Sequence, residues 1–60
     1  MDKKLKVLIA DANQTESEKL AETLADELEI ASVVNDGVRA VEDIMKHHPD
    51  VVVIDTMLPM

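Results

Sequence analysis

Short apolar runs alternate with longer amphipathic stretches along this chain, and the alternation predicts five elements in the order β-α-β-α-β. Leu5 to Ala10, interrupted only by Lys6, reads as a buried strand closed by the polar cluster Asp11-Ala12-Asn13-Gln14-Thr15. Leu20, Leu24 and Leu28 then recur at four-residue intervals, which predicts a first helix from about Gln14 to Leu28. Its start carries capping-box spacing, Asn13 with Glu16 or Thr15 with Glu18, and its opposite face, with Glu18, Lys19, Glu22, Asp26 and Glu29, is expected in solvent. Ile30-Ala31-Ser32-Val33-Val34 is β-branched, too short for a helix, and stops at the turn signal Asn35-Asp36-Gly37. From Gly37, the three- and four-residue spacing of Val38, Val41, Ile44 and Met45 predicts a second helix to His47. Pro49 ends it and is expected to push His48 towards an extended backbone. Val51 to Ile54, apolar at every position, reads as a strand buried on both faces.

Right-handed crossovers between three parallel strands place them in the order 2-1-3. The first and third strands each end in an aspartate, Lys6-Val7-Leu8-Ile9-Ala10-Asp11 and Val51-Val52-Val53-Ile54-Asp55, so that order sets Asp11 and Asp55 at adjacent carboxyl ends. Open α/β sheets build their ligand sites along that edge. Two carboxylates held close repel each other and favour a hard, oxygen-seeking cation such as Mg²⁺, which points to phosphoryl chemistry.

Composition narrows the field. Sixty residues hold one domain at most, and a core this small is marginal on its own. There is no cysteine for a disulfide and no Cys/His spacing for a structural zinc, so partner subunits or further sequence are the expected supports. Without Phe, Tyr or Trp, the core must be built from aliphatic residues and methionine. A net charge of −7 argues against nucleic acid or an anionic membrane as a partner of this segment. No apolar stretch reaches the roughly 20 residues of a membrane span and the first residues are unlike a secretory signal, so a cytoplasmic location is expected.

Four segments together resemble the first half of a response-regulator receiver domain, the phospho-accepting module of bacterial two-component signalling. Val7-Leu8-Ile9-Ala10-Asp11 followed by Asn13 is similar to that family's first strand and acidic turn, and Asn35-Asp36-Gly37-Val38-Arg39-Ala40-Val41 to the start of its second helix. His48-Pro49-Asp50-Val51-Val52-Val53-Ile54-Asp55 resembles the approach to its phosphorylated aspartate, and Asp55-Thr56-Met57-Leu58-Pro59 resembles the Asp-x-x-x-Pro that follows. The resemblance covers the whole chain. It implies a flavodoxin-like, doubly wound parallel α/β fold, of which residues 1–60 supply the amino-terminal β-α-β-α-β half, ending after strand three.

The function implied is that of a signalling module, not an enzyme. Asp55 would accept a phosphoryl group from a sensor histidine kinase or phosphotransfer protein. Mg²⁺ would assist, held by Asp11, Asp55 and the backbone carbonyl of Met57. One departure bears on this, because the family carries paired acids after strand one and here Ala12 follows Asp11. Alanine offers no oxygen, so Mg²⁺ binding is expected to be weakened or lost. The family's later strands and helices, with the hydroxyl and lysine that complete its phosphate site, have no counterpart in these residues. Strand three is therefore expected as an exposed apolar edge that invites a second chain, which makes homo-oligomerisation a further expectation.

Two rival readings remain open at this level. A degenerate receiver acting only as an interaction or dimerisation module is favoured by Ala12 and disfavoured by the intact Asp55 loop. A fragment of a nucleotide-binding α/β enzyme is disfavoured because the turn Asp11-Ala12-Asn13-Gln14 is acidic and lacks glycine. Aspartates that end strands also form turns and caps. The remaining candidates read as structural: His47 and His48 as residues suited to a helix end, Met45, Met57 and Met60 as core filler, and Asp36-Gly37 as a helix-capping turn. Arg39 is expected to face solvent.

Overall fold

The computed structural model describes residues 4–55 and 57–59; Thr56 and Met60, both quoted in the motifs above, lie outside the described residues. The order is β1 (Lys6–Ala10), α1 (Gln14–Leu24), β2 (Glu29–Val34), α2 (Gly37–His47) and β3 (Val51–Ile54). All strand pairing is parallel, and the sheet order is β2-β1-β3. This is the α/β half domain expected from the hydrophobic pattern, consistent with a flavodoxin-like fold.

β1 is central, and its Val7, Leu8, Ile9 and Ala10 are fully buried. Successive strand residues face opposite sides of a sheet. Leu8 and Ala10 accordingly pack with Val34 and with Ala40 of α2, while Ile44, Val52 and Leu58 add partly buried surface to the same cluster. Val7 and Ile9 fall on the other side, where two right-handed crossovers of opposite direction place α1. The register of β1 on β3 is regular, Val7↔Val51 through Ala10↔Ile54. On β2 it slips between Val7 and Leu8, so that Ala31 is an extra residue and Leu8 pairs with Ser32.

Both helices begin at a polar side chain that closes the first turn. Asn13 Oδ1 accepts the Glu16 N–H at 3.0 Å, and Asp36 Oδ1 accepts the Arg39 N–H at 2.7 Å. Of the two capping alternatives, Asn13 is the one used, and its own N–H goes to Asp11 Oδ1 at 2.9 Å, not back to Glu16. Their carboxyl ends are closed from elsewhere. Lys4 Nζ donates to the Ala25 carbonyl at 3.2 Å and Lys6 Nζ to the His47 carbonyl at 3.0 Å. A cation at a helix's negative end is favourable.

Several details differ from the sequence-based expectations, and Met45 and Met57, expected as core filler, are both exposed. Helix α1 ends at Leu24, four residues early, because Glu29 is already drawn into the sheet through its N–H to the Leu5 carbonyl. A turn bridges the gap, with Leu28 still donating to the Leu24 carbonyl at 2.8 Å, so the leucine spacing survives the end of the regular helix. His48 is left-handed, at φ 51° and ψ 58°, where an extended backbone was expected, because its N–H closes α2 on the Ile44 carbonyl. β3, finally, is the edge strand that the order 2-1-3 implies, and the burial on both faces read from its apolar run is not met. Both helices lie over β1 and β2, and Val51, Val53 and Ile54 are all exposed.

Candidate functional site

The carboxyl edge of the sheet is built by three connections. Asp11 donates its N–H to the Val34 carbonyl at 3.0 Å and Asp55 donates to the Ala10 carbonyl at 2.9 Å, which locks the three strand ends together. Since Ala10 pairs with Ile54, Asp11 and Asp55 each stand one residue beyond the same rung. Both are half-buried. Each folds its carboxylate back on the following turn, Asp11 Oδ1 accepting from Asn13 and Asp55 Oδ1 from the Met57 N–H at 3.0 Å. These are Asx turns, the structural role that aspartate plays at strand ends. Among the hydrogen bonds of the described residues, the second oxygen of each carboxylate is uncommitted.

The loop after β3 returns to the start of α2. Leu58 N–H donates to the Asp55 carbonyl at 3.0 Å, and the Pro59 carbonyl accepts the Gly37 N–H at 2.6 Å. Gly37 is buried with φ below zero, so its value here is the absence of a Cβ, which lets the Pro59 carbonyl reach the helix end. Leu58 and Ile54 then meet Ala40, Val41 and Ile44 around an apolar hollow of about 300 Å³, with Asp55 in its wall. The hollow exists because α2 lies over β2 and β1 and leaves the near side of β3 uncovered.

Every sequence-predicted site residue that is described lies along this edge. Asp11 and Asp55 are brought together. Met57, an exposed residue, sits in the turn that Asp55 closes. Ala12 is exposed at the bend after Asp11 and brings no oxygen from its side chain. Arg39 is exposed in the first turn of α2. His47 and His48 close α2 at the opposite edge of the sheet, far from the aspartates in the topology. The donor set at the carboxyl edge consists of oxygens only, two carboxylates with the Met57 carbonyl in the adjoining turn, and this suits a hard cation that keeps most of its water. Among the described residues, no group of three or more His, Cys, Asp or Glu side chains converges as a metal site.

Sequence reading did not anticipate Asn35 as a member of this edge. Its Nδ2 donates to the Asp11 carbonyl at 2.8 Å and so ties the β2–α2 turn to the β1–α1 turn. The sequence signal is an amide side chain placed directly after a strand, at the start of the turn Asn35-Asp36-Gly37.

No family model matches the chain, and no solved structure matches it. Among the described residues, no helix is long and apolar enough to cross a membrane.

Proposed function

We propose that this chain is the amino-terminal part of a phospho-accepting receiver module, with Asp55 taking a phosphoryl group from a sensor histidine kinase or phosphotransfer protein. The observation that supports it best is the parallel register that sets Asp11 and Asp55 one residue past the Ala10–Ile54 rung, each with one carboxylate oxygen held by its own turn. The turns fix the carboxylates in direction while leaving the second oxygen of each available.

Asp11, Asp55 and the Met57 carbonyl would hold Mg²⁺, and a bound Mg²⁺ supplies positive charge against the incoming phosphoryl oxygens. The chain's own residues orient the acceptor. The Met57 N–H fixes Oδ1 of Asp55, and the Asp55–Ala10 hydrogen bond fixes its backbone. In the transfer, a free carboxylate oxygen of Asp55 forms a bond to phosphorus as the phosphorus–nitrogen bond to the donor imidazole breaks. The electron pair of that bond stays with the imidazole nitrogen. The location that fits this partner is the cytoplasm.

Labelling with a small phosphodonor tests the reading. Wild-type protein is expected to incorporate phosphate on one residue as an acyl phosphate, released by alkali and by hydroxylamine, and Asp55→Asn to incorporate none. Label that survives Asp55→Asn removes Asp55 as the acceptor, and wild-type protein that takes no label favours the rival of a receiver fold used only for binding, as Ala12 does.

A further inference from the structure

We propose that Asn35 is a positioning residue for the cation site, its side-chain amide holding the main chain of Asp11 so that the Asp11 carboxylate stands beside that of Asp55. The proposal rests on the metal reading above and adds to it a residue that ligates nothing.

The two aspartates are held at three corresponding points. Asp55 donates its N–H to the Ala10 carbonyl at 2.9 Å, accepts the Leu58 N–H on its carbonyl at 3.0 Å and accepts the Met57 N–H on Oδ1 at 3.0 Å. Asp11 donates its N–H to the Val34 carbonyl at 3.0 Å and accepts the Asn13 N–H on Oδ1 at 2.9 Å. Its carbonyl is served from a different source. Asp55 uses the main chain three residues on, but three residues past Asp11 helix α1 has already begun, and the donor is Asn35 Nδ2 at 2.8 Å. Asn35 thus supplies the one side-chain donor in the two sets.

A residue has two soft main-chain torsions. The N–H of Asp11 fixes the peptide plane before its Cα and the carbonyl fixes the plane after it. Val34 and Asn35, consecutive in the chain, therefore set the direction of the Asp11 Cβ between them. The Asn13 N–H then sets the carboxylate. Without the Asn35 amide, the plane between Asp11 and Ala12 is free to turn, which loosens the bend that brings the Asn13 N–H to the carboxylate. An amide suits this task because it is neutral. A lysine or arginine donor in its place would set a positive charge beside the cation.

The same turn reaches the other aspartate. Two residues past Asn35, Gly37 donates its N–H to the Pro59 carbonyl at 2.6 Å, in the loop that follows Asp55. Asn35-Asp36-Gly37 is fastened at one end to the Asp11 turn and at the other to the Asp55 loop, and Asp36 stiffens the span by capping α2 on the Arg39 N–H. β2 and β3 are not neighbours in the sheet, so this link between the loops is one that strand pairing does not make. A group that orients a metal ligand without touching the metal changes affinity by about 10–100-fold.

Nuclear magnetic resonance of the chain during titration with MgCl₂ tests this. Asn13, Gln14 and Asn35 alone carry side-chain amides, so the Asn35 signal is readily assigned. In wild type that signal is expected to shift and saturate with the same Kd as the Met57 N–H. Asn35→Ala is expected to weaken Mg²⁺ binding at least about tenfold, whereas Ser32→Ala, which removes a side-chain hydrogen bond to Asp43 from the same strand, should stay within about twofold of wild type. Before any Mg²⁺ is added, Asn35→Ala should already shift the Asn13 N–H. Wild-type affinity in Asn35→Ala, or an equal loss in Ser32→Ala, overturns the proposal. So does a wild-type Asn35 amide that stays still while the Met57 N–H saturates, a result that needs no variant to fold. These outcomes leave the metal reading standing. If no wild-type resonance saturates, the metal reading itself falls and the positioning role falls with it.

Discussion

Asp11 and Asp55 occupy equivalent places on neighbouring strands, and each accepts a hydrogen bond from the backbone N–H two residues further on, at 2.9 and 3.0 Å. The two turns are thus built alike although the residues that follow differ. On the proposed function, structural and chemical roles would meet in one side chain, since one oxygen closes the turn and the second has no hydrogen-bond partner among the described residues.

That double role separates two substitutions at Asp55. Asp55→Asn keeps an acceptor oxygen for the Met57 N–H and is expected to leave stability within about 0.5 kcal/mol. Asp55→Ala loses the turn as well and is expected to cost about 1 kcal/mol. Both should abolish phosphoryl labelling. Thermal unfolding by circular dichroism checks the stability difference, and equal melting of the two variants would show that the Asx turn contributes nothing.

The helix caps give a second comparison. Asn13 is neutral and exposed, whereas Asp36 is half-buried, charged, and placed at the positive end of α2. Removing Asn13 by alanine should cost about 1 kcal/mol, and removing Asp36 nearer 2 kcal/mol. For a domain of this size each kcal/mol lowers Tm by roughly 4–8 °C. The ranking checks itself in one pair of melts, with Asp36→Ala the lower.

His48 gives a prediction of the opposite sign. It is the single non-glycine residue with positive φ among those described, held there because its N–H closes α2. A Cβ in the left-handed region costs about 1–2 kcal/mol, partly offset when glycine's greater unfolded entropy is counted. His48→Gly should therefore stabilise the chain by roughly 0.5–1 kcal/mol. A lower Tm for His48→Gly would show that the imidazole makes a contribution larger than the strain.

How much of this was legible depended on the range of the interaction involved. Helix α2 and strand β3 were read from local spacing with the bounds they have, because Gly37 and Pro49 punctuate them. The strand order followed from handedness, and with it the pairing of Asp11 and Asp55 on one edge. What local pattern could not carry was competition between segments. Leu28 keeps the helical interval, yet Glu29 is claimed by Leu5 of the sheet. Likewise, His48 obeys the hydrogen bond that closes α2 over the extended preference of a residue before proline. The Asn35 bridge and the two lysines that close the helix ends each join residues 21 or more apart in sequence, and no spacing rule reaches so far.

Ala12 carries the last prediction. It sits exposed at the bend between Asp11 and the Asn13 cap, where a carboxylate can be added without displacing packed atoms. Ala12→Asp would bring a further carboxylate beside Asp11 and Asp55, and would raise the repulsion that a divalent cation relieves. Without Mg²⁺ the variant should be no more stable than wild type. With it, the gain in Tm should exceed that of wild type, since a ligand that binds the folded state stabilises in proportion to its affinity. Titration calorimetry should give at least about tenfold tighter Mg²⁺ binding, as expected of a hard oxygen ligand replacing a methyl group. Equal affinities would mean that the turn does not present residue 12 to the Asp11–Asp55 edge, and the metal would then have to be sought elsewhere.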